Sequence, residues 1–315
     1  MEGVSEYLKL EREQNWRVAL RGNMKNKERT QLERVSMPEE EALERNQNFT
    51  EVNSGLNEEQ ARNEARRCLD CVNPTCISGC PVSINIPKFI KKIEEGDILE
   101  SARVLKETNA LPAVCGRVCP QEVQCEQACF YTQKLNKPPV AIGHLERFVA
   151  DYEQNSGQMS VPQITNRNGI KVACIGSGPA GLAFAGDMAK MGYDVTVFEA
   201  LHEIGGVLKY GIPEFRLPNR VVDVEIDVLE KMGVKFVKNF IVGATASIED
   251  LKKEGFKAFM VGSGAGLPNF MHIPGENFIG IYSSNEYLTR VNLMNAADPE
   301  YDPPVISGKK SGCNR

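Results

Sequence analysis

Residues 171–181 read Lys171-Val172-Ala173-Cys174-Ile175-Gly176-Ser177-Gly178-Pro179-Ala180-Gly181. A short β-rich run leads straight into a glycine fingerprint, and Pro179 to Met191 then reads as a helix, which is the context a G-x-G-x-x-G motif requires. Gly176 permits the tight turn, Gly178 lets backbone approach a pyrophosphate, and Gly181 lets helix and strand pack closely. Pro179 and Ala180 open the helix, whose N-terminus stabilises phosphate charge. Asp194 to Phe198 reads as the next strand, and Glu199 ends it about 20 residues on, where an acid accepts hydrogen bonds from a ribose and disfavours a 2'-phosphate. The plainer reading of Glu199 is a surface charge at a strand end.

Downstream, apolar runs at Val234 to Val237 and Phe256 to Val261 continue the alternation of strand and helix, so this half is expected to be α/β with a parallel sheet. Gly205-Gly206 and the run containing Gly262, Gly264 and Gly266 are further turns at strand ends, readable as tight loops or as parts of a nucleotide pocket. Spacing does not decide between FAD and NAD.

Upstream lies a Ser, Gly, Pro and Asn-containing segment, 156–169, read as a linker. Before it the signals are helical. Asn57 with Gln60 is a capping box that starts the helix delivering Cys68, and Leu56 is placed to staple onto Ala61. Pro87 and Gly96 bracket another helix, and Asp97 with Glu100 starts a third. Residues 1–50 are densely charged with both signs interspersed. They read as a partly helical arm lying on something else, or as a disordered polar tail.

The helical region, 51–155, holds eight of the chain's 10 cysteines. They fall in two runs, Cys68-x2-Cys71-x4-Cys76-x3-Cys80-Pro81 and Cys115-x3-Cys119-Pro120-x4-Cys125-x3-Cys129. A cubane needs soft thiolates converging from tight loops, and the last cysteine of such a run tends to ligate a neighbouring cluster. Cys125 and Cys129, four apart, would share a helix face. Zinc held by four cysteines, and buried unliganded cysteines, are the alternatives on spacing alone; the Cys-Pro steps favour iron-sulfur. Cys174 and Cys313 lie outside the pattern.

A net charge of -5 and a pI near 5.5 leave no basic footprint for nucleic acid or anionic membrane. No apolar run reaches the length of a membrane helix, and the polar start is unlike a signal peptide, so the cytoplasm is the expected compartment. No Ser-His-Asp or paired-carboxylate signature suggests hydrolysis, His144, His202 and His272 read as structural, and no catalytic residue is assigned.

Across residues 35 to 310 the chain resembles the small subunit of bacterial NADPH-dependent glutamate synthase, the large subunit of NADH-dependent ferredoxin:NADP oxidoreductase and the amino-terminal half of dihydropyrimidine dehydrogenase. The two cysteine runs, Val140 to Phe148, the glycine fingerprint, Gly205 to Pro213 and Gly262 to Pro268 carry that resemblance. It implies an all-helical domain with two [4Fe-4S] clusters followed by a Rossmann-type FAD-binding domain. It also implies interleaved ligands: Cys68, Cys71, Cys76 and Cys129 for one cluster, and Cys80, Cys119, Cys125 with Glu146 for the other, leaving Cys115 a bystander. Read without the family, Glu146 is an exposed helix charge. In such proteins NADPH reduces FAD, and single electrons pass through the clusters to a partner redox subunit.

Relatives continue into a second glycine-rich domain for NADPH and then complete the FAD domain, whereas this chain ends Lys309-Lys310-Ser311-Gly312-Cys313-Asn314-Arg315. One extra adenine in an A-rich run at Lys309 and Lys310 would convert the family's Lys-Lys-Val-Ala-Val-Ile-Gly into that ending. The resemblance thus predicts an incomplete FAD domain over 170–308, an unpaired sheet edge, an aberrant tail at 309–315, weak FAD retention and no NADPH oxidation by this chain alone. A non-catalytic electron-transfer or assembly module and a zinc-binding interaction protein are the readings from other classes.

Overall fold

The computed structural model describes residues 2–294 together with Glu300 and Val305; the end of the expected FAD domain and the tail at 309–315 lie outside them. The chain divides into two compact units, Met1–Glu41 with Val52–Ile164, and Ala42–Glu51 with Thr165–Arg315.

In the first unit the capping signals become helix ends. Asn57 accepts from the Gln60 amide at 2.8 Å while Gln60 accepts from the Asn57 amide at 3.0 Å, starting the helix Glu58–Arg66. Pro87 occupies the first turn of Ile86–Glu95, and Gly96 ends that helix at φ 101°, a left-handed conformation that glycine adopts without steric cost. Asp97 caps Ile98–Lys106 by accepting from the Glu100 amide at 3.1 Å. Phe89, Ile93, Leu105, Leu145 and Val149 are fully buried together, each contributing about 1.5–3 kcal/mol of transfer free energy. Gly116, on the helix Pro112–Val118, allows a close approach: a Cβ there would stand 2.5 Å from the Arg147 amide nitrogen of the helix Ile142–Asn155.

The charged arm is helical over Glu2–Arg12, Asn15–Asn23 and Asn26–Arg29 and packs into this unit. Its arginines go inside. Arg29 is 0% exposed and forks onto Glu94 at 2.8 and 2.9 Å, and Arg17 and Arg21 both hold the buried carboxylate of Asp70. Charge density that suggested a solvated tail is instead an ion-pair framework.

The second unit is built on a parallel sheet of β1 (Lys171–Ile175), β2 (Asp194–Phe198), β3 (Lys235–Val237) and β4 (Phe256–Val261), in the order β3-β2-β1-β4. Val172 pairs with Val195 and Cys174 with Val197, so the most buried strand, β1, is central. The helix Pro179–Lys190 follows β1 and Asn219–Lys231 precedes β3. Val261 on the outer strand β4 is 66% exposed. No helix among the described residues is long and apolar enough to cross a membrane.

Candidate functional site

All nine cysteines among the described residues are free thiols. The helix Glu58–Arg66 delivers Cys68; Asp70, at φ 51°, turns the chain so that Cys71 follows, and the short helix Thr75–Ser78 carries Cys76. Cys68, Cys71, Cys76 and Cys129 line one small cavity whose remaining wall includes Ile86, Ile90, Tyr131, Val140 and Ile142. Among the described residues no three His, Cys, Asp or Glu side chains converge as a single-ion site; these four thiols surround a space.

Burial dominates their chemistry. It pushes the Cys71 thiol up to about 12, with Cys68, Cys129 and Asp70 acting in the same direction. Cys76 is raised well above its ordinary value by burial and then by Cys68, Cys129 and Cys71. Cys68 is also raised by burial, although the Lys91 ammonium works against it. Cys68, Cys71 and Cys76 therefore stay protonated until cationic metal displaces the protons.

Cys80, Cys119, Cys125 and Glu146 form a second group. Cys119 caps the helix Pro112–Val118 and is pushed up to about 11 by burial, then by Glu146 and Cys80. Cys125 is raised by burial and by Glu126, Glu146, Cys80 and Cys119. Glu146 is 5% exposed, which corrects its reading as an exposed helix charge: it accepts from the Asn109 side-chain amide at 2.8 Å. Asn109 also accepts weakly from the Cys115 thiol at 3.7 Å.

One local expectation is overturned. Cys125 and Cys129 do not share a helix face, because the short helix Gln121–Val123 ends at Gln124 and both cysteines lie in the turns that follow. Those turns aim Cys129 into the first cavity, while Cys125 acts on the second group. A π-helix, Tyr131–Leu135, begins directly afterwards, and Tyr131 reaches the carbonyls of Arg29 and Arg67 at 3.0 and 2.9 Å. Sequence reading also missed buried Glu64, Arg67 and Lys91, charged residues whose surroundings only the fold shows.

In the second unit the glycine motif is explained by space. Gly176 sits at φ 101°, and a Cβ there would stand 2.4 Å from the Gly262 carbonyl; at Gly181 one would meet the Gly176 carbonyl at 2.0 Å. Gly178 caps the helix Pro179–Lys190 with nothing within 4 Å of a Cβ position, so the space in front of the helix is open. Gly206 packs onto that turn, its Cβ position 2.8 Å from the Gly178 Cα. Ser177 ties the pieces together: its hydroxyl donates to Glu199 at 2.5 Å and accepts from the Gly205 amide at 3.0 Å. Glu199 also accepts from the amides of Ser177 at 2.8 Å and Leu201 at 2.9 Å. A carboxylate offers about four lone-pair positions, so capacity for a ribose hydroxyl is retained. Gly264 and Gly266 lie in the loop after β4 with open space around them. Cys174 is buried in β1 beneath the turn, its thiol pushed up to about 11 by burial and by Glu199.

Comparison with known proteins gives two family matches. Residues 45–158 match the dihydropyrimidine dehydrogenase domain II, 4Fe-4S cluster family, and residues 174–235 match the NAD(P)-binding Rossmann-like domain family. The glutamate synthase [NADPH] small chain of Azospirillum brasilense is 36% identical over 82% of this chain, and that of Escherichia coli K12 is 36% identical over 89%. The NAD-dependent dihydropyrimidine dehydrogenase subunit PreT of Escherichia coli K12 is 44% identical over 66%. The chain spans 53%, 59% and 51% of those three relatives' own lengths.

Proposed function

We propose that this chain, which is similar to bacterial glutamate synthase small chains and to PreT, serves an oxidoreductase as an electron-transfer subunit. The observation that carries the reading is the ring of Cys68, Cys71, Cys76 and Cys129 around one apolar cavity within a region matching a 4Fe-4S family. These four would hold one [4Fe-4S] cluster, and Cys80, Cys119, Cys125 and Glu146 the other. Four thiols, and three thiols with a buried carboxylate, are donor sets that fit such clusters. Gly176, Gly178 and Gly181 would admit the pyrophosphate of FAD, Glu199 would take its ribose, and Gly205-Gly206 would close the turn beside it.

When bound, FAD links the two-electron chemistry of NADPH to the one-electron chemistry of the clusters. The chain's own part is placement and exclusion. Buried Ile86, Ile90 and Tyr131 shield one side of the first thiol group from water, and the ion pairs of Asp70, Glu94 and Glu64 hold the loops that carry it. Reduced thiols suit the cytoplasm. The acceptor is a partner redox subunit, of the glutamate synthase large-subunit type or the ferredoxin oxidoreductase small-subunit type; the higher identity to PreT favours, as a second reading, a partner that reduces pyrimidines.

The test is internal electron transfer. The chain is loaded anaerobically with iron, sulfide and FAD, the flavin is photoreduced, and the visible band of the iron-sulfur centres is followed. Bleaching of that band as the flavin reoxidises is expected. A flavin that stays reduced beside unbleached clusters would overturn the reading.

A further inference from the structure

Lys91 is 0% exposed, an unusual place for an ammonium. It projects from the helix Ile86–Glu95, whose Ile86, Pro87 and Ile90 form part of the wall around the first thiol group. Its Nζ donates to the backbone carbonyl of Cys68 at 2.6 Å and to Glu94 at 2.5 Å. Glu94 is also held by the fork of Arg29, so two cations share one carboxylate and the buried triad keeps one net positive charge. Burying that excess is costly, and an apolar side chain of similar size would fill the same space without the desolvation penalty.

The surplus charge lies against the residue that begins the first thiol group. A fixed cation in a low-dielectric site favours whichever redox state carries more negative charge, and that is the reduced one.

We infer that Lys91 is a positioning residue that acts through Cys68 to raise the reduction potential of the cluster held by Cys68, Cys71, Cys76 and Cys129. The inference rests on the proposed reading that this group ligates a cluster. Glu94 limits the effect by neutralising part of the charge, so the two side chains act with opposite sign. A purely structural role for Lys91, fixing the Cys68 loop through its carbonyl, requires no such opposition.

The test is a redox titration of the full chain, assembled anaerobically with iron and sulfide and followed by electron paramagnetic resonance. Lys91→Gln keeps a donor for the Cys68 carbonyl and removes the charge. It is expected to lower the reduced-to-oxidised ratio of one cluster about tenfold at a fixed potential, about 59 mV for one electron. Glu94→Gln is expected to move the same midpoint the other way, and the second cluster's midpoint is expected to shift less in both variants. Shifts of the same sign in both variants, or no shift, overturn the inference. Where Lys91→Gln does not fold, Glu94→Gln decides alone, and a midpoint unmoved or made more negative overturns it. A wild-type chain that takes up no iron overturns the reading of the site, and this inference with it, before any potential is measured.

Discussion

The side-chain amide of Asn109 donates to the carboxylate of Glu146 at 2.8 Å, and both residues are buried. A buried carboxylate needs such a donor, and in the proposed reading Glu146 is the fourth ligand beside Cys80, Cys119 and Cys125. Glu146→Ala is therefore expected to lose about half of the bound iron, from about eight to about four atoms per chain, with the other cluster's spectrum intact. Asn109→Ala leaves the carboxylate without this partner and is expected to cost about 1–3 kcal/mol by denaturant unfolding. Unchanged iron content in Glu146→Ala would remove Glu146 from the ligand set.

The nucleotide turn yields a paired prediction. Gly178 has φ -64° and open space at its Cβ position, so Gly178→Ala is expected to fold, at a cost of about 1 kcal/mol for alanine at the helix N-cap. The added methyl would nevertheless occupy the approach of a pyrophosphate, and FAD affinity measured by fluorescence titration is expected to fall at least about tenfold. Gly176→Ala meets both a left-handed backbone and the Gly262 carbonyl, and is expected to lower the melting temperature of the second unit. Equal FAD affinity in wild type and Gly178→Ala would contradict this site.

Much of this architecture is legible in the sequence because capping and turn chemistry are local. Asn57, Gly96 and Asp97 mark helix ends by side-chain and backbone chemistry that acts within a few residues. The glycines of residues 176–181 are legible for the same reason. Arg17, Arg29 and Lys91 are not, because burial of a charge depends on partners up to 65 residues away, as for Arg29 and Glu94. Spacing also suggests a common helix face for Cys125 and Cys129, because it cannot show that a short helix ends at Gln124; the assignment of the two cysteines to different groups comes from the resemblance alone.

Asp70 gives a stability prediction for the arm. Its carboxylate is 0% exposed and is held by Arg17 and Arg21, both on the helix Asn15–Asn23. Asp70→Ala strands these cations, Arg17 being itself buried, and is expected to cost about 3–5 kcal/mol. The arm should then become the first segment cut in limited proteolysis, and protection equal to wild type would contradict its anchoring role.

The raised thiols set a pH dependence for the metal-free chain. Folded Cys71 and Cys119 titrate near 12 and 11, above their ordinary value of 9.0. The unfolded chain therefore releases these protons first, so their contribution to stability is complete below pH 9 and is lost as pH rises through 11 to 12. Thiols already ligated to iron have no proton to lose. The melting temperature of the metal-free chain is expected to fall more steeply above pH 9 than that of the loaded chain. Parallel curves would contradict the protonated-thiol state.

Iron and acid-labile sulfide, measured with the visible spectrum on anaerobically assembled chain, address the central claim most directly. The account predicts about eight of each per chain and broad visible absorption, with about half of each lost in Cys76→Ala and in Cys125→Ala. Cys115→Ala is expected to retain both in full. Zinc bound without sulfide in a colourless protein would contradict the account.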